Sequence, residues 1–303
     1  MIKKKWHQWI AQRFQVESNK TLKQRDVLIF MHQHGFLYVV LILITFIAGM
    51  NYANNLILGF CFLIAALLCV SFYLTFKQLH QLQLQIVFPE IARVNQSAIV
   101  QLHFHQAIVQ QRYFYVEFEQ QLIPVHLDQT TKMVELHVLP HKRGAQYLSA
   151  IRLYSTYPLG LVRAWTYVLP SIPIWVAPEA QNFHLEHQAD ASLGESDFDE
   201  FKELRNYQVG DSLHAVSWKQ VARGQGLYIK QFEDQRDTQM VHIDYAQMLS
   251  SDHETKLSLM MGLVDQCEKL HMQYQVQIGA QLIAPTLGNR QYIRAQLMLA
   301  QVR

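Results

Sequence analysis

The sequence predicts a multi-domain protein. Two N-terminal transmembrane helices come first, then a small all-β sandwich, then a shortened α/β unit. Three observations carry this. Two long apolar runs stand near the N-terminus, "FLYVVLILITFIAGM" at 36–50 and "LILGFCFLIAALLCVSFYLTF" at 56–76. A middle stretch follows in which apolar and polar residues alternate. The last third changes type between strand-like and helix-like patterns. The expected boundaries are 1–35 for a basic N-terminal segment, 36–76 for a helical hairpin, 82–180 for the β-domain, 181–193 for a linker and 194–303 for the remainder.

Neither apolar run carries a charge. The second is long enough to cross a hydrocarbon core of about 30 Å at about 1.5 Å per residue, and the first becomes so if it extends to about Ala53. A helix apolar on every face over this length is unusual in a soluble protein. "NYANN" (51–55) makes the connecting turn. Lys3, Lys4, Lys5, Arg13, Lys20, Lys23 and Arg25 precede the first run and Lys77 follows the second. The positive-inside rule then puts both termini in the cytoplasm of a cell whose inner membrane carries the hairpin. Trp6, Trp9, Ile10 and Phe14 sit at helical spacing beside basic residues. Two readings stand: an amphipathic helix on the anionic leaflet, or a solvated basic tail.

The net charge of +2 gives no global basic field for nucleic acid. Three cysteines, Cys61, Cys69 and Cys267, make no disulfide framework and suit a reducing compartment. From 82 to 178, segments such as "QLHFHQ", "YFYVEFEQQL" and "KMVELHVLP" read as short strands punctuated by Pro89, Asn95, Asp128, Pro140, Gly144, Pro158 and Gly160. His103 and His105 share a strand face, which reads as a solvated face rather than a metal site. Tyr157-Pro158-Leu159-Gly160-Leu161 reads as a hairpin corner.

In "GESDFDEFKELRNY" the spacing of Phe198, Phe201 and Leu204 predicts a short amphipathic helix. The chain turns at Gly210-Asp211. "LHAVSWKQVAR" predicts a second helix with Ala215, Trp218 and Ala222 on one face, and "GQGLYIKQFE" a strand. "DTQMVHIDY" predicts a buried strand ending near Asp244, 252–273 a helix, 274–283 a strand and "NRQYIRAQLMLAQV" a last helix. Strand–helix–strand–helix is the pattern of a parallel α/β unit.

The stretch 203–233 supports three readings. Arg205, Lys219 and Arg223 can pair with Glu200, Glu203, Asp211 and Glu233 while Tyr207 and Trp218 fill a domain junction that also meets a partner. Asp197, Asp199, Glu200 and Glu203 offer carboxylates for acid–base catalysis, with Arg205 to hold an anion. Lys219, Arg223, Lys230 and Trp218 suit a phosphate-bearing ligand or lipid headgroup. No nucleophile elbow, P-loop, HExxH or glycine-rich dinucleotide turn occurs in the chain. The first reading is favoured.

The stretch resembles the signature of the bacterial domain of unknown function 58 (DUF58) family. Leu204, Arg205, Tyr207, Gly210, Asp211, Trp218, Lys219, Ala222, Arg223, Leu227, Lys230, Phe232 and Glu233 stand at its positions. Arg143-Gly144 with Tyr147, and Tyr157 to Leu161, resemble elements that precede the signature in that family. The resemblance implies a membrane-anchored assembly factor with a von Willebrand factor A-like C-terminal unit, and with none of those catalytic motifs present a non-enzymatic role is expected. Its implied partner is a MoxR-type AAA+ ATPase, together with other membrane proteins encoded nearby and the lipid bilayer, and it implies no cofactor. A von Willebrand A metal site needs Asp-x-Ser-x-Ser. Here Asp244-Tyr245-Ala246-Gln247-Met248 lacks both hydroxyls, and the chain ends early for a full domain of this type. A reduced unit without the metal is expected.

Overall fold

The structure, a computed structural model, describes residues 14–181, 203–206, 228–231 and 240–302. It divides into two compact units, Met1–Glu179 with Gln296–Arg303, and Ala180–Ala295.

The apolar runs form two helices, α1 (Gln33–Asn51) and α2 (Asn55–Leu79). Each is long and apolar enough to cross a membrane. The Asn54 side chain starts α2 by accepting from the amides of Leu56 (2.9 Å) and Ile57 (3.4 Å). The two helices pack antiparallel across the tight turn. A Cβ on Gly49 would stand 2.8 Å from the Leu58 side chain, and Cys61 Sγ lies 3.5 Å from the Ile42 carbonyl. Counting along this pair puts residues near Ser71 to Tyr73 level with the start of α1. The 25 residues of α2 exceed the 19 of α1 by six. The surplus, with buried Thr75, Gln78 and Leu79, is embedded in the β-domain. There α2 packs on strands β7 (Arg112–Phe118), β11 (Ile151–Ser155) and β12 (Val162–Pro170).

The β-domain uses more chain than 82–180. Residues 14–31, expected to lie outside it, supply β1 (Gln15–Val16), β2 (Asn19–Thr21) and β3 (Leu28–Met31). Phe14, placed on an amphipathic helix by its spacing, is buried and meets Tyr167 edge-on at 5.9 Å. The rest of the basic segment, 1–13, lies outside the described residues. One sheet runs β2, β4 (Gln83–Val87), β6 (Ala98–His105), β9 (Thr131–Val138). The other runs β1, β12, β11, β7, β8 (Gln121–Leu127), with β3 on β12. A small third sheet orders β10 (Gly144–Gln146), β13 (Ile174–Ala177) and β5 (Ala92–Arg93). Period-two alternation turns Val100, Leu102 and Phe104 of β6 and Phe114, Val116 and Phe118 of β7 into one shared core. Phe104 and Phe114 meet edge-on at 5.0 Å between the two larger sheets.

Arg112 joins helix to domain. It is 4 % exposed, and its Nη1 donates to the carbonyls of Lys77 (3.0 Å), Gln78 (3.0 Å) and His80 (2.8 Å). Its Nε donates to Gln106 Oε1 at 2.9 Å. A cation at the negative end of a helix completes carbonyls that have no partner within the helix. Burial lowers the Arg112 pKa.

In the second unit, β14 (Glu203–Asn206) pairs antiparallel with β15 (Tyr228–Gln231). Glu203–Asn206 is thus strand where the apolar spacing predicts helix. β16 (Met240–Asp244) pairs parallel with β17 (Gln273–Ile278) through α3 (His253–Lys269), the expected βαβ order. β16 is half-exposed, with Ile243 its buried residue, rather than wholly buried. The single strand expected at 274–283 is two: the chain reverses at Gly279 (φ 57°) into β18 (Gln281–Thr286), antiparallel to β17. Helix α4 (Asn289–Gln301) follows, its residues 289–295 belonging to this unit and 296–301 to the first.

Candidate functional site

Of the residues singled out at 197–233, Glu203, Leu204, Arg205 and Lys230 fall on described backbone. Asp197, Asp199, Glu200, Tyr207, Gly210, Asp211, Trp218, Lys219, Arg223, Phe232 and Glu233 lie outside the described residues, as does the expected linker from 182 on. Leu204 faces Lys230 in register, and Arg205 faces Ile229. Arg205 and Lys230 therefore stand at neighbouring registers of the ribbon.

Ligands of α/β sheets gather beyond the carboxyl ends of parallel strands. Here Asp244 ends β16 beside Gln277 of β17. Its Oδ1 accepts from the Ala246 amide at 3.0 Å and starts a short 3-10 turn, Tyr245–Gln247. Tyr245 Oη lies 2.8 Å from His253 Nδ1, and the Lys256 ammonium sits 4.7 Å from the Tyr245 ring centre. Asp252 caps α3, its Oδ2 accepting from the Thr255 hydroxyl (2.7 Å) and amide (2.9 Å). Those two bonds, the hydroxyl's first, hold its carboxyl below the usual carboxylate range. A divalent cation needs several hard oxygens. Asp244 supplies one carboxylate already engaged by an amide. Ala246 supplies no side-chain oxygen, and Met248 is buried. These residues do not fit the metal of a von Willebrand A site.

Two positions outside the signature prove structural. Arg143, of the Arg-Gly pair, donates from Nη1 to the Leu299 carbonyl at 2.8 Å and to that of Val302, closing the end of α4. Within the second unit, a Cβ on Gly262 of α3 would stand 1.9 Å from the Gln181 carbonyl oxygen. The Arg-Gly pair was visible in sequence as a family element, whereas nothing local marks Gly262.

A family model described as protein of unknown function DUF58 matches residues 203–281, from β14 to the start of β18. That segment carries the chain's similarity to the DUF58 family. The segment thus holds the β14–β15 ribbon, β16 with Asp244, α3 and β17. The chain is also similar to the uncharacterized protein YeaD of Bacillus subtilis (strain 168), 30% identical over 115 residues, or 35% of this chain and 28% of YeaD. The match therefore spans less than a third of YeaD's length.

Proposed function

We propose that the chain is a membrane-anchored adaptor without enzymatic activity, whose DUF58 segment binds a protein partner. The partner implied by the family resemblance is a MoxR-type AAA+ ATPase. In this reading α1 and α2 cross the inner membrane and both termini face the cytoplasm, in keeping with the lysines and arginines that flank the pair. The observation that carries the reading is the apolar surface of the helices. Leu37, Ile47, Leu56 and Phe62 are all exposed, and such a continuous apolar surface needs a lipid or protein cover. Partner binding is supported by the β14–β15 ribbon. Among the described residues neither outer edge of it is paired, and an open edge accepts an added strand.

Crosslinking in native membranes followed by purification and mass spectrometry tests this. The wild type is expected to bring down an AAA+ ATPase, and an Arg205→Ala, Trp218→Ala variant that still inserts is expected to lose it. Absence of the ATPase from both overturns the adaptor reading. Release of the wild type from membranes by alkaline carbonate overturns the anchor.

A further inference from the structure

The turn between β11 and β12 lies against the first turn of α1. The His32 amide donates to the Leu161 carbonyl at 2.9 Å. A Cβ on Gly35 would stand 2.1 Å from that same oxygen, so bare backbone meets bare backbone here. Gly160 (φ 70°) lets the turn reverse, its amide donating to the Thr156 carbonyl at 2.9 Å. The turn carries Tyr157 (42 % exposed) and Leu159 (48 % exposed) at the level where the apolar run of α1 begins. Phe30 and Phe36, both exposed, meet at 5.9 Å across the strand-to-helix junction. Tyr73 of α2, exposed, falls at the same level by the register of the helix pair.

Behind this rim stands a cation, Arg163, with two histidines beside it. Arg163 faces Phe30 in register, and its guanidinium lies over the Tyr154 ring at 4.8 Å. Its buried Nε has no hydrogen-bond partner, and no carboxylate among the described residues forms an ion pair with it. His32 and His34 rings are 5.8 Å apart. Burial first, then Arg163 and His34, lower the His32 pKa, so the cation here is Arg163. An arginine left without an acid, beside exposed tyrosine, leucine and phenylalanine at the mouth of an apolar helix, matches the layers of a lipid interface. Phosphate faces the guanidinium, the tyrosines sit at headgroup depth, and leucine and phenylalanine reach the acyl chains.

We propose that the Tyr157–Leu161 turn, with Arg163 and His32 behind it, binds the headgroup of an anionic phospholipid in the leaflet where α1 begins. This rests on α1 and α2 crossing a bilayer. The site is separate from the DUF58 segment. It gives the β11–β12 turn a membrane contact where the sequence alone shows a hairpin corner.

The test uses the full chain in nanodiscs of mixed phosphatidylcholine and phosphatidylglycerol, with native mass spectrometry of the lipids retained on release. Wild type is expected to retain phosphatidylglycerol over phosphatidylcholine. Arg163→Gln is expected to reduce that preference about fivefold, the effect of losing about 1 kcal/mol per basic residue near an anionic surface. Arg152→Gln is the control, because Arg152 already pairs with Glu117 at 3.1 Å and is expected to keep the preference. A wild type with no preference overturns the proposal whatever the variants do. So does an equal loss in both variants, or displacement of the lipid by excess inorganic phosphate. Failure of the wild type to float with vesicles of either lipid overturns the membrane reading and this site with it. Flotation with both lipids but no preference overturns the site alone.

Discussion

Cys267 and Tyr274 set how the second unit answers to alkali. Cys267 lies buried on α3, and burial first, then the charge of Glu268, pushes its thiol from an ordinary 9.0 up to about 12. Tyr274 is buried on β17, its phenol raised by burial and then by the hydrogen bond it donates to Glu268 at 2.8 Å. Both groups stay neutral in the fold at a pH where the unfolded chain ionises them. The stability they contribute is therefore complete below about pH 9 and is lost as pH rises toward the folded values. Thermal stability of the full chain should fall above about pH 9, and Cys267 should resist iodoacetamide at about pH 8 until the unit unfolds. Peptide mapping after alkylation checks this. Modification of Cys267 in folded protein at the rate of a free thiol would contradict it.

At the scale of elements, α3 depends on one missing side chain. Gly262 is buried, and the Gln181 carbonyl occupies the space a Cβ needs. The Gln181 amide is itself tied to the Ser258 carbonyl at 3.0 Å, which resists its withdrawal. Alanine gains about 1 kcal/mol of helix propensity over glycine. Overpacking costs about 1–3 kcal/mol, and a 1.9 Å approach to a backbone oxygen puts this site at the upper end. Gly262→Ala should therefore lower stability by about 1–2 kcal/mol, read as a reduced denaturation midpoint with unchanged slope. A variant as stable as wild type would show that Gln181 moves freely.

Sequence periodicity found the elements whose signal is local. Both apolar helices, the alternation of β6, β7 and β9, and α3 lie where the pattern puts them. It missed those decided by distant partners. β1 to β3 are two to four residues each, yet they pair with β12 and β4 far along the chain. Leu204 sits at helical spacing from Phe198 and Phe201, but its partner is Lys230 on a facing strand. A tight reversal at Gly279 hides two strands inside one apolar run. The signature residues were legible as a family pattern, and the pairing of Leu204 with Lys230 and of Arg205 with Ile229 was not, because a pattern carries no register.

For the molecule as a whole, the unit of folding is not the unit of sequence. The stretch 82–180 looks self-contained on paper. In the structure it lacks β1 and β3, which edge β12, and β2, which edges β4. It also lacks the end of α2, whose Lys77, Gln78 and His80 carbonyls accept from buried Arg112. Hydrogen bonds to a charged group are worth about 1.5–3 kcal/mol each, and a buried guanidinium left without them carries the full cost of desolvation. Total stabilities are about 5–15 kcal/mol, so losing these bonds together with three edge strands should exhaust the margin. A fragment of residues 82–180 should show no cooperative thermal transition and poorly dispersed amide NMR signals, while the full chain in detergent melts cooperatively. A cooperatively melting, well-dispersed fragment would show that the β-domain folds without its helix. In that case Arg112 would be an attachment of the helix to a finished domain, and α2 could turn relative to the sandwich. If the fragment fails as expected, helix and sandwich are one body, and a load on the β-domain is passed directly to the apolar helix pair.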